Sequence, residues 1–180
     1  MQSERGTMMK FIFVSDIHGK PEMMEECVKI LKKENADKLV ILGDTAAQID
    51  TLANEEIANI INNMKENIEM IRGNCDNKHL EELLEITLFD MDNLYVNGKV
   101  VTITHGHYYN YYNRPSNCGE IFIQGHTHVP MLQKNDGIIM ANPGSLGRPK
   151  GTDLRCYLLM DDEKIELKTI DGKVVKDIKF

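Results

Sequence analysis

A mixed α/β fold, two packed sheets with helices outside them, is predicted by three observations. Residues 10–85 alternate strand-like and helix-like patterns, residues 99–178 are strand-like with few helix candidates, and no Pro/Gly/Ser-rich linker parts the halves. The alternation β-α-β-α-β-α is the pattern of a parallel sheet with crossover helices. The later half carries Asn97-Gly98, Asp136-Gly137 and Asp171-Gly172 between its runs. Such pairs tolerate the positive φ of tight hairpin turns, so this half is expected to pair largely antiparallel.

The elements follow in order. Residues 10–15 (KFIFVS) read as a short buried strand. Residues 21–34 carry Met24, Val28 and Leu31 at helical spacing, with Pro21 suited to a first turn. Residues 38–42 form a second buried strand, and 54–65 place Ile57, Ile60, Ile61 and Met64 on one helical face. A third strand at 68–71 and a short helix at 78–85 complete the alternation. Strand-like runs follow at 99–104, 120–124, 138–141, 155–159, 164–170 and 173–178. Residues 1–8 (MQSERGTM) are polar and precede the first pattern. They are expected to be a disordered leader ahead of a single domain over 9–180.

Bulk properties narrow the function classes. A chain of 180 residues is large enough to bury roughly 70% of its unfolded surface. A net charge of −7 argues against a sequence-independent grip on nucleic acid, which needs clustered basic residues. The apolar runs are far shorter than the ~20 residues of a bilayer span, and the start carries no signal-peptide pattern. Cys27, Cys75, Cys118 and Cys156 show no C-x-x-C spacing. Reduced thiols in a cytoplasmic protein are therefore expected.

Candidate ligands collect just after the strand patterns. Asp16 and His18 follow FIFVS, Asp44 follows LVILG, Asn74 follows IEMIRG, His105 follows VVTIT, and His126 and His128 follow IFIQG. Residues beyond the strand ends of open α/β sheets meet in a crevice. The i, i+2 spacing of Asp16/His18 and of His126/His128 places each pair on one face of an extended segment. A lone aspartate in such a place is usually a turn former, and a lone histidine a surface residue. Here five of the six histidines fall in three short motifs, beside two aspartates and an asparagine in matching places. Nitrogen and oxygen donors of this kind suit manganese, iron, nickel, cobalt or zinc; magnesium alone prefers oxygen. Seven donors exceed one compact tetrahedral site and match two ions bridged by a shared carboxylate.

The motifs SDIHG (15–19), GD (43–44), GNCD (73–76), THGH (104–107) and GHTH (125–128) stand in an order that resembles the calcineurin-like metallophosphoesterase superfamily. GNCD, NPGS (142–145) and the short length are similar to its small single-domain bacterial and archaeal phosphodiesterases. The resemblance implies a four-layer αββα sandwich of two mixed β-sheets. It also implies that Asp16, His18 and His128 hold one divalent ion, that Asn74, His105 and His126 hold a second, and that Asp44 bridges them. Mn²⁺ is the expected metal, with Ni²⁺, Fe²⁺, Co²⁺ or Zn²⁺ as alternatives. Two aspartates against two divalent ions leave a site charge of about +2, which lets an acidic protein attract a phosphate ester. The implied activity is hydrolysis of a small phosphodiester by in-line attack of a metal-bridging hydroxide. The alternatives are a phosphomonoesterase or nucleotidase on the same site, and a non-catalytic scaffold of the same fold.

Neighbouring residues have two readings each. His107 contacts the scissile phosphate or donates a proton to the leaving group, or it merely hydrogen-bonds to the ligands. Asp76 steadies the ligand histidines or holds its own turn. Cys75 stands where the superfamily commonly has histidine, so it reads first as a missing general acid and second as a soft metal or redox handle. Asn142–Ser145 reads as a structural turn bordering the site. HYYNYY (107–112) is a lid that stacks on a base or aryl leaving group, or a contact in a homodimer or tetramer. Arg114, Arg148 and Lys150 are candidate phosphate-side cations but read first as unpaired surface charges. Two departures from the resemblance bear on the substrate: TAAQID after Asp44 offers little for contact, and the segment between His107 and Glu120 is short.

Overall fold

The computed structural model describes residues 9–180, so the leader expected over 1–8 lies outside the described residues. The chain runs β1 (Phe11–Val14), α1 (Pro21–Lys33), β2 (Lys38–Ile41), α2 (Thr51–Asn62), β3 (Ile68–Met70) and α3 (Lys78–Leu83). It continues through β4 (Met91–Val96), β5 (Lys99–Thr104), β6 (Ile121–Gln124), β7 (Met131–Asn135) and β8 (Ile138–Asn142) to β9 (Cys156–Met160), β10 (Lys164–Thr169) and β11 (Val174–Lys179). Among the described residues, no helix is long and apolar enough to cross a membrane.

One sheet has the order β11-β10-β9-β1-β2-β3 and the other β4-β5-β6-β8-β7. In the first, β1, β2 and β3 pair in parallel, whereas β9 joins β1 antiparallel and β10 and β11 extend that edge. The two sheets therefore do not correspond to the two halves of the chain. In the second, β5, β6 and β8 are parallel, and only the edge strands β4 and β7 pair antiparallel. The later half therefore pairs mostly antiparallel, as expected, with β5, β6 and β8 as a parallel exception. Long connections, and not hairpins, link β5 to β6 and β6 to β8, and such crossovers return a strand in parallel.

Both faces of the first sheet are buried at β1, β2 and β9, which is why these strands are largely apolar runs. Alternate side chains divide between two cores. Ile12, Val14, Leu39 and Ile41 pack against Met24, Ile30, Ile57, Ile61 and Leu80 of the three helices. Phe13, Val40 and Leu42 face Val101, Ile103, Ile121 and Ile123 of the second sheet. Each fully buried side chain of this size stabilises the fold by about 1.5–3 kcal/mol.

Local chemistry sets the helix limits. Pro21 opens α1, and Lys32 and Lys33 in its last turn complement the helix dipole. α2 begins earlier than its apolar spacing suggests, because the Asp50 carboxylate accepts from the Ala53 N–H at 3.1 Å. Asn77 caps α3 in the same way, through the Leu80 N–H at 3.0 Å.

Two mixed sheets with flanking helices are the expected fold class. α1, α2 and α3 lie against the outer face of the first sheet. The second sheet is covered on its outer face by the short segment after His107, which forms no helix. Tyr111 sets its ring edge-on to Phe122 at 5.9 Å, and its hydroxyl donates to the Ala141 carbonyl at 2.7 Å. The Gly119 N–H donates to Thr102 Oγ1 at 2.8 Å. These contacts strap residues 111–119 across the outward side chains of β5, β6 and β8.

Candidate metal centre

All seven predicted ligands lie just past the C-terminal ends of β1, β2, β3, β5 and β6. The connections from these strands are held together by their backbones. Asp16 N–H donates to Gly43 O at 3.0 Å, His18 N–H to Asp44 O at 2.8 Å, Gly125 N–H to His105 O at 2.9 Å, and Gly147 N–H to Asp16 O at 2.9 Å. Asp16, His18, Asp44, His126 and His128 all have positive φ, between 52° and 66°. The i, i+2 pairs are therefore not on extended segments. Each left-handed non-glycine residue costs about 1–3 kcal/mol and persists only where its surroundings impose it. Here the cost turns five polar side chains inward. Close approach needs glycine at two points: a Cβ on Gly73 would overlap Asp44, and one on Gly125 would overlap the Ser15 hydroxyl.

Asp16, His18, Asp44 and His128 form the tighter group, with one donor atom from each lying within 4.8 Å of the others. His128 Nε2 is 3.1 Å from Asp16 Oδ1 and 3.2 Å from His18 Nε2. Around the second group, His105 Nε2 lies 3.1 Å from Asn74 Oδ1 and 3.4 Å from Asp44 Oδ1. His126 sets its ring 5.1 Å from that of His105, and its backbone N–H donates to Asp16 Oδ2 at 3.1 Å. Asp44 stands between the groups, Oδ1 toward His105 and Oδ2 toward His18, the latter at 3.9 Å.

Tautomers show what this arrangement lacks. His105 Nδ1 donates to Leu42 O at 2.7 Å, and His128 Nδ1 donates to Arg148 O at 2.6 Å. A neutral imidazole has one N–H, so each Nε2 presents a lone pair. Those lone pairs face carboxylate and amide oxygens, which are acceptors too. Asp16 Oδ1 is buried without a hydrogen-bond donor, although His128 Nε2 is close by. Converging buried acceptors require a cation. Without one, protons take that place. Burial opposes a charge on His105, but hydrogen bonding to Asp44 and its charge outweigh it and raise the pKa. Hydrogen bonding to Asp16 raises that of His128 against burial. Burial disfavours the Asp44 carboxylate, yet His105 and the Cys75 N–H hold its pKa well below the ordinary range. Burial lowers the pKa values of His18 and His126, leaving both neutral and able to ligate.

The neighbours resolve as follows. Asp76 accepts from the backbone N–H groups of Gly73 (2.8 Å), Asp44 (3.0 Å), Thr45 (2.7 Å) and Ala46 (2.9 Å). It clamps the connection after β2 to the one after β3, which is the turn-holding reading; its hydrogen bonds go to backbone N–H groups and not to the ligand histidines. Cys75 gives its backbone N–H to Asp44 Oδ1 at 2.7 Å. Its thiol accepts from Asn74 Nδ2 at 3.3 Å, and burial followed by Asp44 pushes its pKa up to about 11. In the absence of bound ions such a thiol stays protonated at neutral pH. His107 sets its ring 5.4 Å from His105 and 6.4 Å from His126, and its Nδ1 is buried without a partner.

Other positioning residues carried weak signals or none. Ser145 Oγ donates to Asp16 O at 2.7 Å and accepts from Arg148 N–H at 2.8 Å. Asn142 Nδ2 donates to Gly125 O at 2.8 Å, so the NPGS turn supports two ligand-bearing connections. Asn54, buried on α2, bonds both backbone groups of Ala47. A buried asparagine within a helical apolar face is the one sign that could have found it. A cavity of 490 Å³ between β3, β4 and residues 86–89 holds none of these residues and lies apart from the centre.

Two sheets face to face, with aspartate, asparagine and histidine donors gathered at strand ends and short of a cation, define a metal-dependent phosphoesterase. Residues 9–164 match the family described as the calcineurin-like phosphoesterase superfamily domain, and the chain belongs to that family. Phosphodiesterase YfcE of Escherichia coli strain K12 is 28% identical over 176 residues, 93% of this chain and 96% of that one. A phosphodiesterase of Methanocaldococcus jannaschii is 25% identical over 171 residues, 90% of this chain and 98% of its own. The structure of the E. coli phosphoesterase YfcE superposes with a TM-score of 0.87 at 27% identity, covering 95% of this chain and 99% of that one. The family and the buried Asp/His cluster together imply divalent metal ions.

Proposed function

We propose that the chain is a phosphodiesterase that uses two divalent ions. In this reading Asp16, His18 and His128 hold one ion, Asn74, His105 and His126 hold the other, and Asp44 bridges them. The observation that carries it is the Asp44 carboxylate, whose two oxygens point to two separate imidazole groups, each short of positive charge. Ions bound here would neutralise phosphate charge and lower the pKa of a water. The protein's own part is positioning. The Leu42 and Arg148 carbonyls fix the tautomers of His105 and His128, and Asp76 holds the Asp44 and Gly73 connections in register. His107, beside the second group, would in this reading hydrogen-bond a phosphate oxygen. A protonated Cys75 leaves the usual histidine's place without a strong acid, which favours diesters with good leaving groups.

Manganese is the metal proposed, since the donor set holds nitrogen, oxygen and no thiolate. The substrate is taken to be a small diester, because the acidic surface does not suit a nucleic-acid strand. A single domain over 9–180 is supported by β9–β11, which complete the first sheet. The cytoplasmic setting is supported by four free cysteines among the described residues.

A phosphomonoesterase is the second reading. Arg148 and Lys150 make their charge felt at His18 and His128, and a dianionic monoester rewards such cations. Turnover of bis(p-nitrophenyl) phosphate and of p-nitrophenyl phosphate by manganese-loaded protein separates the two. Diester preference is expected, and hydrolysis of the monoester alone would reject the proposal.

A further inference from the structure

A second cavity, of 260 Å³, opens beside the second ligand group, sharing His126 with it and lined also by His107. Its remaining walls include Asn110, Tyr111, Tyr112 and Gln124. The lining thus combines two tyrosines and two histidines with amide and hydroxyl side chains. It is also preformed. Tyr111 is fixed by its hydroxyl bond to Ala141 O, by its backbone N–H to Gln124 Oε1 at 3.0 Å, and by its edge contact with Phe122. Asn110 ties the turn by accepting from the N–H groups of Tyr112 at 3.0 Å and Asn113 at 3.2 Å. That leaves the amide NH₂ of Asn110 for a ligand. Tyr112, in the cavity wall, is 99% exposed. An aromatic ring on the rim of a cavity offers a face on which a planar group can stack.

Size limits the occupant. Pockets for drug-sized ligands run from about 300 to 1,000 Å³, so this space suits one ring system and no more. Position sets the chemistry, because a phosphate held near His105 and His126 directs one substituent toward these walls. We infer that one arm of the diester carries a planar aromatic group, a nucleobase or an aryl ring, seated between the Tyr111–Tyr112 turn and His107. The inference rests on the phosphodiesterase reading and adds the identity of the group beside the phosphate. Tyr111 is an anchor here and not part of a mobile lid.

The test uses manganese-loaded full-length protein and three diesters: bis(p-nitrophenyl) phosphate, adenosine 2′,3′-cyclic phosphate and glycerophosphocholine. Base–aromatic stacking predicts that Tyr112→Ala raises KM for an aromatic diester by about five- to a hundredfold. kcat should be little changed, glycerophosphocholine should be unaffected, and Tyr112→Phe should behave as wild type. A KM rise confined to the nucleotide assigns the cavity to a nucleobase, and one shared with the p-nitrophenyl ester assigns it to aryl rings in general. Unchanged KM for both aromatic diesters, with hydrolysis intact, would overturn this inference and leave the phosphodiesterase reading standing. Failure of wild-type protein on all three diesters would overturn both.

Discussion

Asp76 shows how much a single side chain does around the centre without touching a metal. Four backbone N–H groups converge on its carboxylate. Asp76→Ala should cost more than the about 1–3 kcal/mol of one unsatisfied buried donor, and thermal unfolding of the metal-free protein would measure it. Metal affinity should fall with it, because Asp44 and Gly73 lose their common tie. Cys75 has the opposite prospect. With its pKa pushed up to about 11 the thiol is a poor proton donor, so Cys75→Ala should change kcat on a p-nitrophenyl diester by less than about threefold, far below the 10²–10⁴ typical of a lost general acid–base group. A large loss in that assay would show that the thiol takes part. The ligand positions were legible in the sequence because donor residue types recur after every central strand. Their left-handed φ values were not, since most aspartates and histidines are right-handed or extended and nothing local in these motifs marks the exceptions.

At the scale of elements, the central strands were legible and the edges were not. β1, β2, β5 and β6 are apolar on both faces or bounded by clear turns. β4 (MDNLYV) and β7 (MLQKN) went unread because each mixes polar residues into a half-exposed edge. Their turn dipeptides were the available signal: Asn97 and Gly98 have φ of 50° and 82°, and Asp136 and Gly137 of 50° and 81°. Both hairpins are closed by pairs suited to positive φ. Within the buried strands, Phe13→Ala should destabilise by about 3–5 kcal/mol, because Phe13 is fully buried between the sheets. Chemical denaturation would give the value. Asp50→Ala removes one helix cap and should cost only about 0.5–2 kcal/mol. A reversed ranking would contradict the placement of the inter-sheet core.

Across the whole molecule, the first sheet is assembled from both ends of the chain, and Glu34 joins them. At the end of α1 it accepts from the Tyr157 hydroxyl on β9 at 2.6 Å and from Lys168 Nζ on β10 at 2.7 Å. Burial disfavours the ionised carboxyl, but these two hydrogen bonds and the Lys168 charge hold its pKa below the ordinary 4.5. A depressed folded-state pKa stabilises the protein above the unfolded value, and that stability is lost as pH falls through the folded one. The melting temperature should therefore drop as pH is lowered below about 4.5, and Glu34→Gln should flatten that limb of the curve. Equal slopes for both proteins would remove Glu34 from the account. How β9–β11 return to β1 was not legible, because pairing between distant strands depends on which buried faces meet and leaves no local mark.

The central claim is that Asp44 joins two cation sites. Metal content after loading with manganese and gel filtration tests it most directly. Wild-type protein should carry about two ions per chain, and Asp44→Asn should retain at most one while its metal-free fold is unchanged. Wild-type protein carrying none, or Asp44→Asn retaining both with undiminished affinity, would contradict it.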